Sequence, residues 1–293
     1  MSERISVFPG VAALAAAQDR VAEKRLFAEV GLETAAYAPV TTDEDCRLAL
    51  ATVGSPAILK TRRLGYDGKG QALVHTVAEC EAAWKGFGEV PCILEERVPF
   101  ERELSLVAVR GTDGRSAFYP WAENVHRDGM LRVTRAPAEN VLSEPERAAR
   151  TGLAQMLERL QYVGVLAVEF FEVDGRLLAN EFAPRVHNTG HWTIDGAVTS
   201  QFENHLRAVC GLPLGATEAL GAAGMVNLIG NHPTLDELLA VPDLHVHLYG
   251  KSARPGRKLG HVNVLRRTTD EREAALVALD RLLTETDTAR SRP

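Results

Sequence analysis

Two glutamates stand where a carboxylate is expensive. Glu169 lies in the apolar run Ala167-Val168-Glu169-Phe170-Phe171, and Glu181 in Leu177-Leu178-Ala179-Asn180-Glu181-Phe182. An ionised carboxylate on a half-buried strand is costly unless it is paired or bound to a cation. The two runs flank Asp174-Gly175 and read as a β-hairpin. A two-residue turn there would set Glu169 opposite Asn180. A three-residue loop centred on Gly175, with that glycine at positive φ, sets it opposite Glu181. Like charges directly opposite repel, so the longer loop with Mg2+ between the carboxylates is the expectation. Hard divalent cations take such oxygen ligands and complete their shell with phosphate and water. The competing reading is two surface-facing glutamates on an edge hairpin.

A glycine-rich cluster and two basic segments add to this pair. Gly65, Gly68 and Gly70 fall within Gly65-Tyr66-Asp67-Gly68-Lys69-Gly70-Gln71, between two strand-like runs. Glycines let backbone N–H groups approach an anion closely, and Lys60 and Lys69 supply charge. The spacing is neither a Walker A loop nor a dinucleotide turn, and a strand rather than a helix follows. A flexible hairpin tip would look the same. Arg185-Val186-His187-Asn188-Thr189-Gly190-His191-Trp192 follows the second glutamate directly. Arg185, His187 and Asn188 make a dense donor patch, and a guanidinium suits bidentate capture of a carboxylate-like anion. A loop of structural hydrogen bonds accounts for the same residues. Segment 251–258, with Pro255-Gly256 at its apex, reads alone as a basic surface turn.

The elements that must position these residues are α+β in pattern. A helix is expected over 19–30, with Leu26 and Val30 on one face and Gly31 as its cap. Arg20 and Lys24 are four apart and read as a solvated basic stripe. Strands are expected at 56–60, 72–74 and 92–96, with a helix at 77–87 between the last two. Strands at 104–109 and 117–119 follow. The clearest helix is 143–160: Ser143 and Glu146 suggest a capping box, Pro145 fits the first turn, and Ala149, Leu153, Met156, Leu157 and Leu160 form a buried stripe. The glutamate hairpin, a helix at 201–210, strands at 225–229 and 245–248, and a helix at 268–284 complete the pattern. Residues 286–293 read as a disordered tail.

Composition limits what such a chain does. It has 293 residues, 45% hydrophobic and 25% charged, which suffices for two or three lobes with real cores. A net charge of −6 gives no reason to expect nucleic acid or an anionic membrane as partner. Cys46, Cys80, Cys92 and Cys210 form no C-x-x-C pair, so idle thiols in a reducing compartment are expected. No apolar run approaches the ~18 residues a membrane span needs. The Ala-rich residues 11–17 lack the flanks of a signal peptide, and cytoplasm is the expected location.

Lys60, Gly65 to Gln71, Glu95-Glu96, Asn180 to Trp192, and Tyr249-Gly250-Lys251-Ser252-Ala253-Arg254-Pro255-Gly256-Arg257-Lys258-Leu259-Gly260-His261 together resemble the N5-carboxyaminoimidazole ribonucleotide synthetases, an ATP-grasp family. The resemblance runs from about residue 18 to 264, and its two long motifs are specific. It implies an ATP-grasp fold with two α+β lobes gripping ATP. The bounds expected are 1–36 for an N-terminal linker and helix, 37–98 for the small lobe, 99–285 for the large lobe and 286–293 for the tail. By the same resemblance Arg20, Lys60 and the Gly65, Gly68, Gly70 and Gln71 loop would contact ATP phosphates. The hinge Glu95-Glu96-Arg97-Val98 would hold adenine, and Glu103 the ribose, with His126 and Asn180 near the nucleotide. Glu169 and Glu181 would hold Mg2+. Relatives often carry an Asn two residues after the second glutamate; here that residue is Ala183, so phosphate and water must complete the shell.

The implied reaction is ATP-dependent carboxylation of 5-aminoimidazole ribonucleotide by bicarbonate through carboxyphosphate, in purine synthesis. Arg185 would hold bicarbonate, oriented by His187 and Asn188. Tyr66 and Asp67 would sit over the imidazole, Asp67 taking a proton or hydrogen bond from its amine. Lys251 and Arg257 would clamp the ribose 5′-phosphate. Members of the family begin with a Rossmann-like domain ahead of the segment matching Gln18. Only seventeen residues precede it here, too few for a βαβ unit, so that lobe is expected to be missing or supplied by another chain. It contributes dimer contacts in such enzymes, which leaves a homodimer as an open expectation. A formate-using glycinamide ribonucleotide transformylase and a non-catalytic nucleotide-binding remnant are the competing readings.

Overall fold

The computed structural model describes residues 6–65 and 70–290, with side chains as far as 286. Helix α1 (Val11–Ala17) leads into α2 (Arg20–Glu29), which begins where the Asp19 carboxylate accepts from the N–H groups of Val21 and Ala22, as an N-cap does. Gly31, at φ +72°, ends it. Leu26, Phe27 and Val30 bury against the larger sheet, so this opening segment is part of the large lobe's core.

The small lobe is an antiparallel sheet of β1 (Tyr37–Val40), β2 (Ala57–Thr61), β3 (Gln71–Val74) and β4 (Cys92–Glu96), in the order β1-β4-β2-β3. Helices α3 (Asp43–Val53) and α4 (Val77–Gly86), capped by Thr42 and Thr76, cover one face. Strand alternation sorts the residues. Ala57, Leu59, Cys92 and Leu94 bury against Cys46, Ala49, Cys80 and Trp84. Ile58, Lys60, Ile93 and Glu95 therefore lie on the opposite face.

The large lobe follows in chain order: β5 (Arg102–Arg110), β6 (Ser116–Phe118), β7 (Ala122–Arg127), β8 (Met130–Ala136), α5 (Ser143–Arg159), β9 (Gly164–Val173) and β10 (Arg176–Ala183). A 3-10 turn (Asn188–Trp192), α6 (Thr193–Gly196), α7 (Gln201–Val209), β11 (Ala222–Ile229), α8 (Leu235–Leu239), β12 (Leu244–Leu248), β13 (Lys258–Arg266) and α9 (Thr269–Arg290) complete it. Its strands pair antiparallel in the order β10-β9-β5-β7-β8-β11-β13-β12, with β6 on β5. On β5 and β9, Leu104, Leu106, Leu166, Val168 and Phe170 bury with α2 and α5. Val107, Val109, Val165 and Ala167 bury beneath Trp192 and Ala208 on the other face. Glu169, two residues beyond Ala167, emerges from under that second cover.

Several expectations fail for physical reasons. Strands β7 and β8 escaped the apolar pattern because Asn124, His126, Arg132 and Thr134 interrupt it, although Asp128-Gly129 at their junction, both at positive φ, is a hairpin signal. Ser143 caps nothing: Leu142 holds the N-cap position, and Glu146 accepts from Trp121 Nε1 at 3.2 Å and Arg150 Nε at 2.9 Å. Helix α9 continues to Arg290, past the start of the expected disordered tail. Among the described residues no helix is long and apolar enough to cross a membrane.

Candidate active site

Asp174 and Gly175 form a two-residue turn, at φ +49° and +72°, between the paired residues Val173 and Arg176. The three-residue loop expected from sequence is absent. Two consecutive positive-φ residues give the turn whose twist matches the flanking strands, so the shorter loop wins. Left alone, that turn would pair Glu169 with Asn180. Instead the ladder slips between Ala179 and Glu181, leaving Asn180 as a bulge, and Glu181 lies opposite Glu169. The facing carboxylates hold, by a different device.

The two carboxylates are not each other's solution. Burial and the charge of Glu181 push the Glu169 carboxyl up to about 8. Burial and Glu181 likewise lift Glu23 to about 8, although Glu23 accepts from the Phe182 N–H at 2.7 Å. Glu181 pairs with Arg20, at 3.3 Å, and the imidazole beside Glu169 is that of His187, at 3.5 Å. Two facing carboxylates on one strand face suit a hard divalent cation completed by ligand oxygens. Among the described residues no cluster of three or more metal-ligating side chains exists.

Helix α2 joins this edge to the small lobe. Lys24 Nζ donates to the Asn180 carbonyl at 2.7 Å and lies 3.5 Å from Glu95 Oε2, which also accepts from Lys60 Nζ at 2.9 Å. Burial opposes ionisation of Glu95, but Lys24, Lys60 and Arg20 outweigh it and hold its carboxyl at about 2. Asp19, beyond the helix start, binds Arg62 at 2.7 Å. Arg20, Lys60, Glu95, Glu169 and Glu181 therefore line one cleft between the lobes. Arg20 and Lys24 do not form the solvated stripe their spacing suggests: Lys24 is 1% exposed.

The far end of the cleft is built from the same strand faces. Glu103 pairs with Phe171 across β5 and β9, and Phe171 with Leu178 across β9 and β10. These residues share the face of Glu169. His126 Nδ1 lies 2.6 Å from Glu103 Oε2. Burial opposes protonation of His126, but that bond and the charge of Glu169 raise its pKa overall. The hinge is tied by its backbone, with Glu96 N donating to Ala36 O and Arg97 N to Pro56 O. A cavity of about 540 Å3 opens beside it, lined in part by Glu96, Val98, Val173 and Leu178. Gln71 pairs with Lys60 across β2 and β3, and Gly70, at φ +72°, accepts from the Thr61 N–H at 2.8 Å. Gly65 ends the described part of the loop, and the expectations on Tyr66, Asp67 and Gly68 lie outside the described residues.

The donor patch is partly assembled. His187 faces Glu169, and burial together with Arg185 pushes its pKa down to about 3. Arg185 is exposed and donates to Val186 O at 3.0 Å. Asn188 opens the 3-10 turn with its Nδ2 buried and unpartnered. Lys251, exposed, lies over the Tyr249 ring, and Arg257, half-buried, donates to Ser252 of its own loop at 3.0 Å. Lys258, quoted in the motif but not singled out, is one of the cations felt by Glu169, after His126, by His187, after Arg185, and by His191. It opens β13, and a strand start within the motif was the missed signal. Lys24 was the other omission: it lies one turn from Arg20 on a helix whose next turn carries the buried Phe27. Beneath the 3-10 turn, Thr189 Oγ1 and Thr134 Oγ1 both donate to Asn124 Oδ1, at 2.8 and 2.9 Å, which fixes the patch to the sheet.

Comparison with known proteins gives a consistent result. A profile of the ATP-grasp domain matches residues 25–202, and one described as the phosphoribosylaminoimidazole carboxylase C-terminal domain matches 223–275. The chain is 50% identical over 264 residues to the N5-carboxyaminoimidazole ribonucleotide synthase of Pseudomonas aeruginosa, covering 90% of this chain and 72% of that protein. It superposes on the crystal structure of the N5-carboxyaminoimidazole ribonucleotide synthetase of Thermus thermophilus with a TM-score of 0.92 at 50% identity, over 96% of this chain and 77% of that one. An Aspergillus clavatus N5-carboxyaminoimidazole synthase, solved with ADP and 5-aminoimidazole ribonucleotide, aligns at a TM-score of 0.88 and 27% identity, over 97% and 77% of the two chains.

Proposed function

Because this chain belongs to the N5-carboxyaminoimidazole ribonucleotide synthases of the ATP-grasp family, we propose that its inter-lobe cleft performs their reaction. It is an ATP-dependent carbon–nitrogen ligase of purine biosynthesis that carboxylates 5-aminoimidazole ribonucleotide. A formate-using ligase is not favoured, since relatives at 50% identity are named for the carboxylation product. The carrying observation is the pair Glu169 and Glu181, set opposite each other on the cleft wall with Arg20 at 3.3 Å from Glu181.

In this reading ATP lies between the lobes. The hinge Glu95-Glu96-Arg97-Val98 and the cavity beside it take the adenine, Glu103 and His126 the ribose, and Arg20, Lys60, Gln71 and the glycine loop the phosphates, with Asn180 at the bulge beside them. Glu169 and Glu181 would hold Mg2+, which when bound offsets the negative charge of the phosphates. Bicarbonate, oriented by Arg185, His187 and Asn188, attacks the γ-phosphorus; the bond to the β-phosphate oxygen breaks and ADP leaves. Fixed cations around the triphosphate stabilise the charge in transit. The imidazole amine then attacks the carboxyl carbon of carboxyphosphate, phosphate departs, and Asp67 takes the amine proton. Tyr66 would cover the ring. Lys251, Arg257 and Lys258 form the cationic end for the 5′-phosphate.

Free cysteines among the described residues agree with a cytoplasmic location. Homodimer formation belongs to the same reading, supported by Val11 and Leu14 standing exposed on α1, and sedimentation tests it. The activity test is phosphate release from ATP with 5-aminoimidazole ribonucleotide and bicarbonate, each omitted in turn. Release that needs both is expected. Release that persists without bicarbonate would sink the assignment. Arg185→Ala is expected to abolish bicarbonate-dependent release with the fold intact.

A further inference from the structure

Tyr249 and His261 begin and end the motif that carries Lys251 and Arg257. The loop between them leaves the end of β12 and returns into β13. Lys251 stands exposed on it. A long side chain on an exposed loop loses much rotamer freedom when it grips an anion, so a cationic clamp is tight there only where the lysine is already held.

Tyr249 holds it. Its N–H donates to the Leu259 carbonyl at 2.9 Å and closes the base of the loop. Its hydroxyl lies 2.7 Å from His261 Nδ1. Lys251 Nζ lies 5.2 Å from the centre of its ring, within cation–π range. The usual placing of a tyrosine is reversed: the residue is 37% exposed, while its polar tip is tied to a histidine that is 2% exposed. The anchored hydroxyl fixes the plane of the ring, and the ring presents one face to the lysine.

His261 is itself fixed. Its Nε2 has no partner among the described residues, so the contact with the Tyr249 hydroxyl is the one hydrogen bond its ring makes among them. It stacks on His247, its cross-strand partner, with ring centres 4.5 Å apart and planes at 14°. His247 Nε2 lies 2.8 Å from Asp195 Oδ2, which also accepts from Asn263 Nδ2 at 2.7 Å. The same Asn263 amide donates to the His191 carbonyl at 3.0 Å, and the His191 ring lies 4.9 Å from that of His261. Tyr249 therefore ties the cationic loop, contact by contact, to the 3-10 turn that carries Asn188 and His191.

We propose that Tyr249 is the positioning residue of the 5′-phosphate clamp: bonded to His261, its ring holds Lys251 Nζ where the phosphate oxygens arrive. This rests on the carboxylation reading, which gives that phosphate to Lys251, and it adds a residue that acts through the lysine.

The test measures ADP formation against 5-aminoimidazole ribonucleotide concentration with ATP and bicarbonate saturating. Tyr249→Phe keeps the ring beneath Lys251 and removes the bond to His261. It is expected to raise the ribonucleotide KM about fivefold, the worth of one neutral hydrogen bond, with the ATP KM within about twofold of wild type. Tyr249→Leu removes the ring as well and should raise it at least about tenfold. Added to Lys251→Met, which raises the same KM by itself, Tyr249→Leu should cost less than about twofold more, because the residue it positions is gone. The riboside that lacks the phosphate is the control, and its inhibition constant should stay within about twofold in every variant. Tyr249→Phe carries the test if Tyr249→Leu does not fold. A ribonucleotide KM that rises in Lys251→Met but not in the Tyr249 variants overturns the positioning role while carboxylation stands. A riboside constant that weakens in step with the ribonucleotide KM overturns it too, since the whole pocket is then distorted. An unchanged KM in Lys251→Met removes the contact through which Tyr249 acts. Wild-type protein whose ADP formation ignores the ribonucleotide overturns the carboxylation reading instead.

Discussion

Glu95, buried, and Glu169, half-buried, are the same side chain on opposite walls of one cleft, and their acidities differ by a wide margin. Glu95 sits at about 2 and Glu169 at about 8. Burial raises both. The difference is the company: Lys24 and Lys60 lie at 3.5 and 2.9 Å from Glu95, whereas Glu169 faces Glu181. One carboxylate is neutralised within the protein and ties the lobes together. The other faces a like charge, the arrangement proposed above to be completed by a divalent cation. The contrast therefore separates the strut of the cleft from its proposed working edge.

The largest effect expected is on the strut. Glu95→Gln leaves Lys24 and Lys60 around a neutral amide, and removing one member of a buried ion cluster costs roughly 3–5 kcal/mol. Urea unfolding measures it, and a loss below about 1 kcal/mol would show that the cluster is not a strut. Glu169→Gln should do the reverse. It removes a carboxyl that burial and Glu181 disfavour, so unfolding free energy should hold or rise, while activity falls at least about a hundredfold with the loss of a cation ligand. Retained activity together with a lower melting temperature would invert the comparison and make Glu169 structural.

How far this was legible from sequence divides along the same line. A glutamate in Ala-Val-Glu-Phe-Phe is conspicuous because it breaks an apolar run, so the working edge could be read. Its register could not be read correctly from the turn alone, because the Asn180 bulge restores a pairing that the two-residue turn would have broken. The strut was hidden. Lys24 on a helix and Glu95 next to Glu96 look like surface charge, and only the approach of α2 to both sheets buries them. Most strands with clean alternation were found; β1, β7, β8 and β13 were not, and on β7 and β8 the cleft-facing residues are polar. Lys258 was missed for a third reason: a loop motif does not say which of its cations leads into a strand.

A smaller effect sharpens the comparison with a third kind of buried group. His261 has neither the cations of Glu95 nor the facing carboxylate of Glu169. It is packed against His191 and His247 and bonds Tyr249 through Nδ1 at 2.7 Å. Burial, His191 and His247 push its pKa down to about 3. A histidine kept neutral by folding contributes stability that is complete above its unfolded value near 6.5 and is lost as pH falls toward the folded value. Between pH 6.5 and 4.5 wild-type stability should fall, with this residue contributing about 1.4 kcal/mol per pH unit. His261→Asn should be less steep over that window in urea titrations. Equal slopes would mean that His261 titrates normally.

The smallest effect asks which device keeps Glu169 facing Glu181. Gly175 sits at φ +72°, and a Cβ there would meet Leu142 Cδ1 at 3.4 Å, an ordinary contact. Gly175→Ala therefore costs only the left-handed backbone, about 1 kcal/mol, partly offset by a stiffer unfolded chain. Activity should change little, because beyond Asn180 the pairing is held by the ladder and by Lys24 bonding the Asn180 carbonyl. If activity instead drops as far as in Glu169→Gln while stability moves by only this amount, the turn and not the bulge sets the facing pair. The working edge would then depend on its hairpin tip, far from the strut that holds the lobes together.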